Sequence, residues 1–136
     1  MNLRHASMAL PLVTLLLLTA CSTTNHQRLT SREYFSQFRN LAEALRYYPS
    51  LLIKGTGNQT KVIVRKNSSV QNPEPLYVVD GYPVGNSYAS ANQIVNMSDV
   101  VNIKLLTHSY ELNTYGTNAA AGVIEIRTIR STANTN

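Results

Sequence analysis

The stretch that decides the fold is Pro75-Leu76-Tyr77-Val78-Val79-Asp80-Gly81-Tyr82-Pro83-Val84. Leu76 to Val79 are aliphatic, β-branched and aromatic residues of the kind strands select, bounded by Pro75 on one side and a turn signal on the other. Asp80-Gly81 is that signal, because glycine accepts the positive φ that a tight reversal needs. Working outward, Leu51-Leu52-Ile53 and Lys61 to Arg65, with its alternating valines, read as two earlier strands, the three runs being separated by Gly, Asn, Ser and Pro. Downstream a polar loop is expected, then one or two helical turns from Ile94 to Val101 capped by Ser98 or Asp99, then a strand from Asn102 to Leu106. A short helix from Ser109 to Tyr115 should stop at Gly116, a residue suited to the position just beyond a helix end. Val123 to Thr128 closes the pattern, with Ile124, Ile126 and Thr128 alternating against Glu125 and Arg127 as in a half-buried strand.

The strongest helical signal lies further upstream. Thr30-Ser31-Arg32-Glu33 fits a capping box, in which the Thr hydroxyl and the Glu carboxylate each satisfy an orphan amide. Tyr34, Phe35, Phe38, Leu41, Ala42, Leu45 and Tyr48 then recur at helical spacing, and Pro49 forbids continuation. At that spacing the aromatic stripe reads as a seam facing the core rather than a ligand box. Helices and strands interleave, which predicts an α+β domain over residues 30–130. Its expected form is a small mixed β-sheet with two to three short helices, followed by a polar tail at 131–136.

Before residue 30 the composition changes. Arg4 and His5, the apolar stretch Met8 to Leu18, and Thr19-Ala20-Cys21 follow the order of a secretory signal, and the stretch is too short to span a bilayer. Residues 1–20 are therefore expected to be cleaved, with residues 21–29 forming a polar tether. Leu18-Thr19-Ala20-Cys21 resembles the lipobox of bacterial lipoproteins, which implies diacylglycerol on the Cys21 sulfur and a firm membrane anchor. The bland alternative is an unacylated periplasmic protein whose single Cys falls near the cleavage site.

Five segments taken together carry a further resemblance: LAEALRYYPSLLIKG at 41–55, KVIVRKNSS at 61–69, PLYVVDG at 75–81, DVVNIKLL at 99–106 and YGTNAAAGVIEIRT at 115–128. In this order they resemble the plug domain of TonB-dependent outer-membrane receptors, with the SusC-like subgroup closest. The resemblance implies scaffold roles for its motif residues: Asp80 and Gly81 in a turn, Gly116 and Gly122 where backbone is left-handed or closely approached. Two loops depart from the family, with Arg65-Lys66 where Arg-Gly is usual and Leu106-Thr107-His108 where Leu-Lys-Asp is usual. Eight residues follow Thr128, too few for the strands of a barrel. No apolar stretch resembling a TonB box lies between Cys21 and Thr30, so direct coupling to TonB is not expected.

Twelve Lys plus Arg against seven Asp plus Glu leave a mildly basic chain whose 136 residues exclude a large enzyme, a porin or a multi-pass transporter. The basic residues are scattered rather than striped, so nucleic acid is not an expected partner. No catalytic constellation is legible. His5 leaves with the signal, His26 lies in the tether and His108 has no neighbouring partner, while Gly55-Thr56-Gly57 and Gly85-Asn86-Ser87 complete neither a dinucleotide fingerprint nor a nucleophile elbow. Only a convergence of Asp80, Asp99 and Glu111 would suggest acid-base chemistry. No cofactor, metal or enzymatic activity is expected. The expected role is a non-catalytic, lipid-anchored interaction module, accessory to an outer-membrane receptor or transport complex. The lack of an acidic cluster after Cys21 favours the periplasmic face. A second class of reading is capture of a small molecule or glycan by loops Gly55 to Thr60 and Val84 to Asn92, beside Tyr82 and Tyr88. A third is a degenerate receptor fragment. Exposed strand edges would permit self-association.

Overall fold

The computed structural model describes residues 30–71 and 73–133. The signal segment, Cys21, His26 and the tether lie outside the described residues.

The capping box forms as read: Glu33 Oε2 accepts from Thr30 N at 2.8 Å while Thr30 Oγ1 accepts from Glu33 N at 3.4 Å. The single long helix does not. Two short helices replace it, α1 (Ser31–Ser36) and α2 (Leu41–Leu45). The break lies at Asn40, which is extended with φ −152° and caps α2 by accepting from Glu43 N at 3.0 Å. Glu43 Oε2 reaches back to Arg39 N at 2.7 Å. A second reciprocal cap is thus built into what the apolar spacing alone presents as continuous helix, and Asn is suited to it because its short amide competes with the helical backbone. The break also splits the aromatic stripe, since Phe35 enters the core whereas Tyr34 remains 40% exposed.

The hairpin of β1 (Leu51–Lys54) and β2 (Lys61–Val64) pairs Leu51 with Val64 and Lys54 with Lys61. The main sheet has the order β4-β3-β6-β5, built from β3 (Leu76–Val79), β4 (Tyr82–Gly85), β5 (Val100–Leu106) and β6 (Val123–Thr128). β3 and β6 are parallel, and the two outer pairs are antiparallel. The sheet is therefore mixed, as expected. Tyr82–Gly85 is a strand where only a turn and loop were expected, because Asp80 and Gly81, with φ 52° and 87°, close a two-residue hairpin of the primed type.

Three other elements differ from the sequence reading. The helix expected at Ile94–Val101 lies earlier, as α3 (Tyr88–Ile94), with Ser87 rather than Ser98 or Asp99 at its N-terminus. The segment Ser109–Tyr115 is helical and stops at Gly116 as expected, but only its first turn is α-helix, α4 (Ser109–Leu112), and the rest is a 3₁₀ turn over Asn113–Tyr115. The start of the expected polar tail folds as α5 (Ile129–Ala133). The α+β class holds, with five short α-helices among the described residues.

All four residues of β3 are buried, because both faces of the sheet are covered. Tyr77, Val79, Ile103, Ile124 and Ile126 face the larger core with Leu41, Leu45, Val62 and Val64. Leu76, Val78, Leu106 and Val123 face a smaller core with Ala119, against which Leu112 and Tyr115 pack. Gly122 joins the two layers: a Cβ there would meet Leu106 O at 3.1 Å and Val64 Cγ2 at 3.2 Å, and its φ is 120°.

Candidate functional site

The Asp80-Gly81 turn meets the end of β6. Asp80 Oδ1 accepts from Thr128 N at 2.7 Å and Oδ2 accepts from Thr128 Oγ1 at 2.6 Å. Thr128 Oγ1 in turn accepts from Arg130 N at 3.2 Å, and Asp80 N donates to Ile126 O at 2.9 Å. The carboxylate thus locks the β3–β4 turn to the β6–α5 junction, and Thr128 is 6% exposed. Asp80 and Gly81 occupy the turn as read, Gly116 adopts φ 69° and ψ −160°, and Gly122 allows the close approach described above. Cys21 lies outside the described residues.

The three carboxylates that might have met do not form one site. Asp80 is held by Thr128, Asp99 lies 3.9 Å from Arg130, and Glu111 pairs with Lys104 at 3.3 Å near the other end of β5. Among the described residues no group of three His, Cys, Asp or Glu side chains is placed to hold a metal, and His108 stacks on Tyr110 with ring centroids 5.7 Å apart. Among them too, no helix is long and apolar enough to cross a membrane.

Two of the surface concavities among the described residues involve residues singled out in the sequence. One of about 520 Å³ is lined by Val79, Tyr82, Val84 and Ile94, with Asp80 and Arg130 at its rim. Tyr82 and Ile94 are 76% and 56% exposed, unusual for large apolar side chains side by side. In the sequence Tyr82 reads as an aromatic beside a turn and loop, and Ile94 as the start of a helix. Neither could be assigned to a surface without the position of α3 beside β4.

The other cleft, about 260 Å³, brings Thr56, Gly57, Asn58 and Thr60 against Tyr88 and Asn92, with Arg46 and Glu43 at its edge. The two loops expected to bind a ligand do meet, although Tyr82 is not with them. Tyr88 lies in α3 rather than a loop. Its hydroxyl donates to Asn92 Oδ1 at 3.1 Å and accepts from Ala42 N at 3.2 Å. Burial raises its pKa above the ordinary tyrosine value, the Ala42 amide opposing in part. Its polar capacity is therefore spent within the protein.

A profile of the TonB-dependent Receptor Plug Domain matches residues 22–123. No curated protein matches the chain. The five sequence segments, the mixed sheet, the Asp80-Gly81 turn and this match over most of the length agree, and the chain belongs to the TonB-dependent receptor plug domain family.

Proposed function

We propose that this chain is a lipid-anchored, non-catalytic module that docks on a TonB-dependent outer-membrane receptor or transport complex from the periplasmic side. The family connects it to such receptor systems and to the outer membrane in general. The segments quoted above make the SusC-like subgroup the best fit. The observation that carries the docking role is the groove of Val79, Tyr82, Val84 and Ile94, a mainly apolar surface beside the Asp80-Gly81 turn. Aromatic and aliphatic anchors in such a concavity supply most of the energy of a protein interface. Crosslinking in cells, followed by capture from solubilised outer membranes, should recover one defined barrel or envelope protein. Tyr82→Ser together with Ile94→Ser should abolish the recovery while the domain stays folded. Recovery of this chain alone would refute the docking role.

The second reading, a small-ligand site, rests on the cleft between Thr56–Thr60 and Tyr88. Its volume is below the roughly 300–1,000 Å³ of ordinary ligand pockets, and Tyr88 is already satisfied. A thermal-shift screen of envelope metabolites and glycans tests it, and stabilisation lost in Tyr88→Phe would favour this reading over docking.

A further inference from the structure

Tyr34, Phe38 and Tyr47 form a continuous aromatic surface. The Tyr34 and Phe38 ring centroids are 5.3 Å apart, those of Phe38 and Tyr47 are 5.2 Å apart, and both contacts are steep or tilted rather than parallel. Tyr34 is 40% and Tyr47 68% exposed. We propose that this surface lies on an anionic phospholipid bilayer, so that the domain is held flat against the membrane by its α1–α2 side.

Three observations select lipid as the occupant. The first is where the described chain starts: Thr30 caps α1, only four residues before Tyr34. The residues between Cys21 and Thr30 can extend no more than about 3.6 Å each, so an anchor at Cys21 holds the start of α1 within about 30 Å of the bilayer. The second is charge. Residues 30–66 carry Arg32, Arg39, Arg46, Lys54, Lys61, Arg65 and Lys66 against Glu33 and Glu43, whereas residues 67–133 carry Glu74, Asp80, Asp99, Glu111 and Glu125 against Lys104, Arg127 and Arg130. The basic excess is thus confined to the half that begins at the tether. Both acids in that half turn their carboxylates onto backbone N–H groups at helix starts. The third is residue type, since tyrosine rings with a polar tip suit the headgroup boundary and the basic residues of the same half of the chain favour anionic lipid. α1 packs beside β5 and Tyr48 bonds to it, while the groove of Tyr82 and Ile94 lies on β4 at the opposite edge of the sheet.

The inference rests on the proposed anchor, and the test separates the two. The acylated chain, its Cys21 peptide checked by mass spectrometry, is bound to phosphatidylethanolamine vesicles with and without phosphatidylglycerol and iodinated by lactoperoxidase. Tyr82 and Tyr110, 76% and 74% exposed, serve as internal controls. On vesicles containing phosphatidylglycerol, iodination of Tyr34 and Tyr47 should fall at least about threefold relative to Tyr110, as expected for side chains sunk into the headgroup layer. Equal labelling of Tyr47 and Tyr110, or protection of Tyr82 instead, would overturn the inference. If Cys21 carries no acyl group the anchor fails, and the surface is then judged by sedimentation of the unacylated chain with phosphatidylglycerol vesicles. Binding that is lost in Tyr34→Ser/Tyr47→Ser would sustain it, and no binding would refute it.

Discussion

Asp80 carries two separable burdens, and substitutions can read them apart. Its φ of 52° is the left-handed region, which Asp and Asn enter more readily than Ala. Its two carboxylate oxygens satisfy the N–H and hydroxyl of Thr128, a residue 6% exposed. Asp80→Ala loses both bonds, leaves buried donors unpaired and places Ala at positive φ. Loss of the charged bonds should cost about 2 kcal/mol, and the backbone strain about 1 kcal/mol more. Asp80→Gly removes the strain and keeps the loss of bonds, so it should fall near 2 kcal/mol. Asp80→Asn keeps the turn conformation and can still accept from Thr128 N. Its amide can face Thr128 Oγ1, so about 1 kcal/mol is expected. Urea unfolding followed by far-UV circular dichroism gives these differences directly, and the unchanged slope checks that the unfolded state is the same. Adding Thr128→Val to Asp80→Ala should cost much less than Thr128→Val alone, because the partner is already gone. If Asn proves as costly as Ala, or if the two sites add without coupling, the strand-end lock is not what fixes this turn.

Tyr77 is fully buried and its hydroxyl has no hydrogen-bond partner among the described residues. Tyr77→Phe should therefore leave stability unchanged or raise it by up to about 1 kcal/mol in the same unfolding assay, against the usual loss for a bonded tyrosine. Burial also holds the Tyr77 phenol neutral, raising its pKa above the ordinary 10, with Glu74 contributing less. The unfolded phenol ionises first, so this contribution is present below about pH 10 and is lost as pH rises above it. Tyr77→Phe should accordingly shift the midpoint of alkaline unfolding upward, and an unchanged midpoint would contradict the assignment. Gly122→Ala should cost more than about 1 kcal/mol by thermal melting, since the new Cβ meets Leu106 O at 3.1 Å in a backbone with φ 120°.

The strands were the legible part of this fold. β1, β2, β3 and β6 are short apolar runs bounded by Gly, Pro and polar residues, and their hydrophobic patterns need no tertiary information. The helices were less so, because their ends are decided by side-chain caps that compete with periodicity. Asn40 and Ser87 win that competition locally, and neither interrupts the apolar spacing in a way that composition reveals. α5 was missed for a related reason: its first turn is tied down by the Thr128 hydroxyl and by Asp99, whose carbonyl accepts from Ile129 N at 2.9 Å. That support comes from 30 residues upstream and is invisible locally. For the candidate site, Asp80 and Gly81 stood out at once, but the partner of Asp80 did not. Thr128 was read as one more inward residue of a strand, and its hydroxyl mattered only once β3 and β6 were adjacent.

That adjacency also bears on whether the domain would pair with other chains through its edges. Val79 and Tyr82 close the hairpin as a bonded pair, so the next residue of β4, Pro83, turns its backbone nitrogen outward. A proline there offers no N–H to an incoming strand. At the other edge Ile126 O accepts from Asp80 N toward β3, so Ile103, its partner on β5, faces away from β6. The outward carbonyl of Ile103 accepts from the Tyr48 hydroxyl at 2.8 Å, and burial raises the Tyr48 pKa, with Tyr34 adding to it. One outward position at each edge of the main sheet is thus unavailable to an incoming strand, Pro83 by a missing donor and Ile103 by an occupied acceptor, which weakens backbone pairing at those positions. Association should instead depend on side-chain surfaces such as the groove of Tyr82 and Ile94. Pro83→Thr restores a donor at the β4 edge without enlarging the side chain greatly, and sedimentation velocity should then show dimers or larger species that the parent chain lacks at the same concentration. If the parent already dimerises and Tyr82→Ser with Ile94→Ser leaves the dimer intact, backbone pairing at some other edge must be admitted and the sealing of β4 and β5 is not what keeps the chain apart.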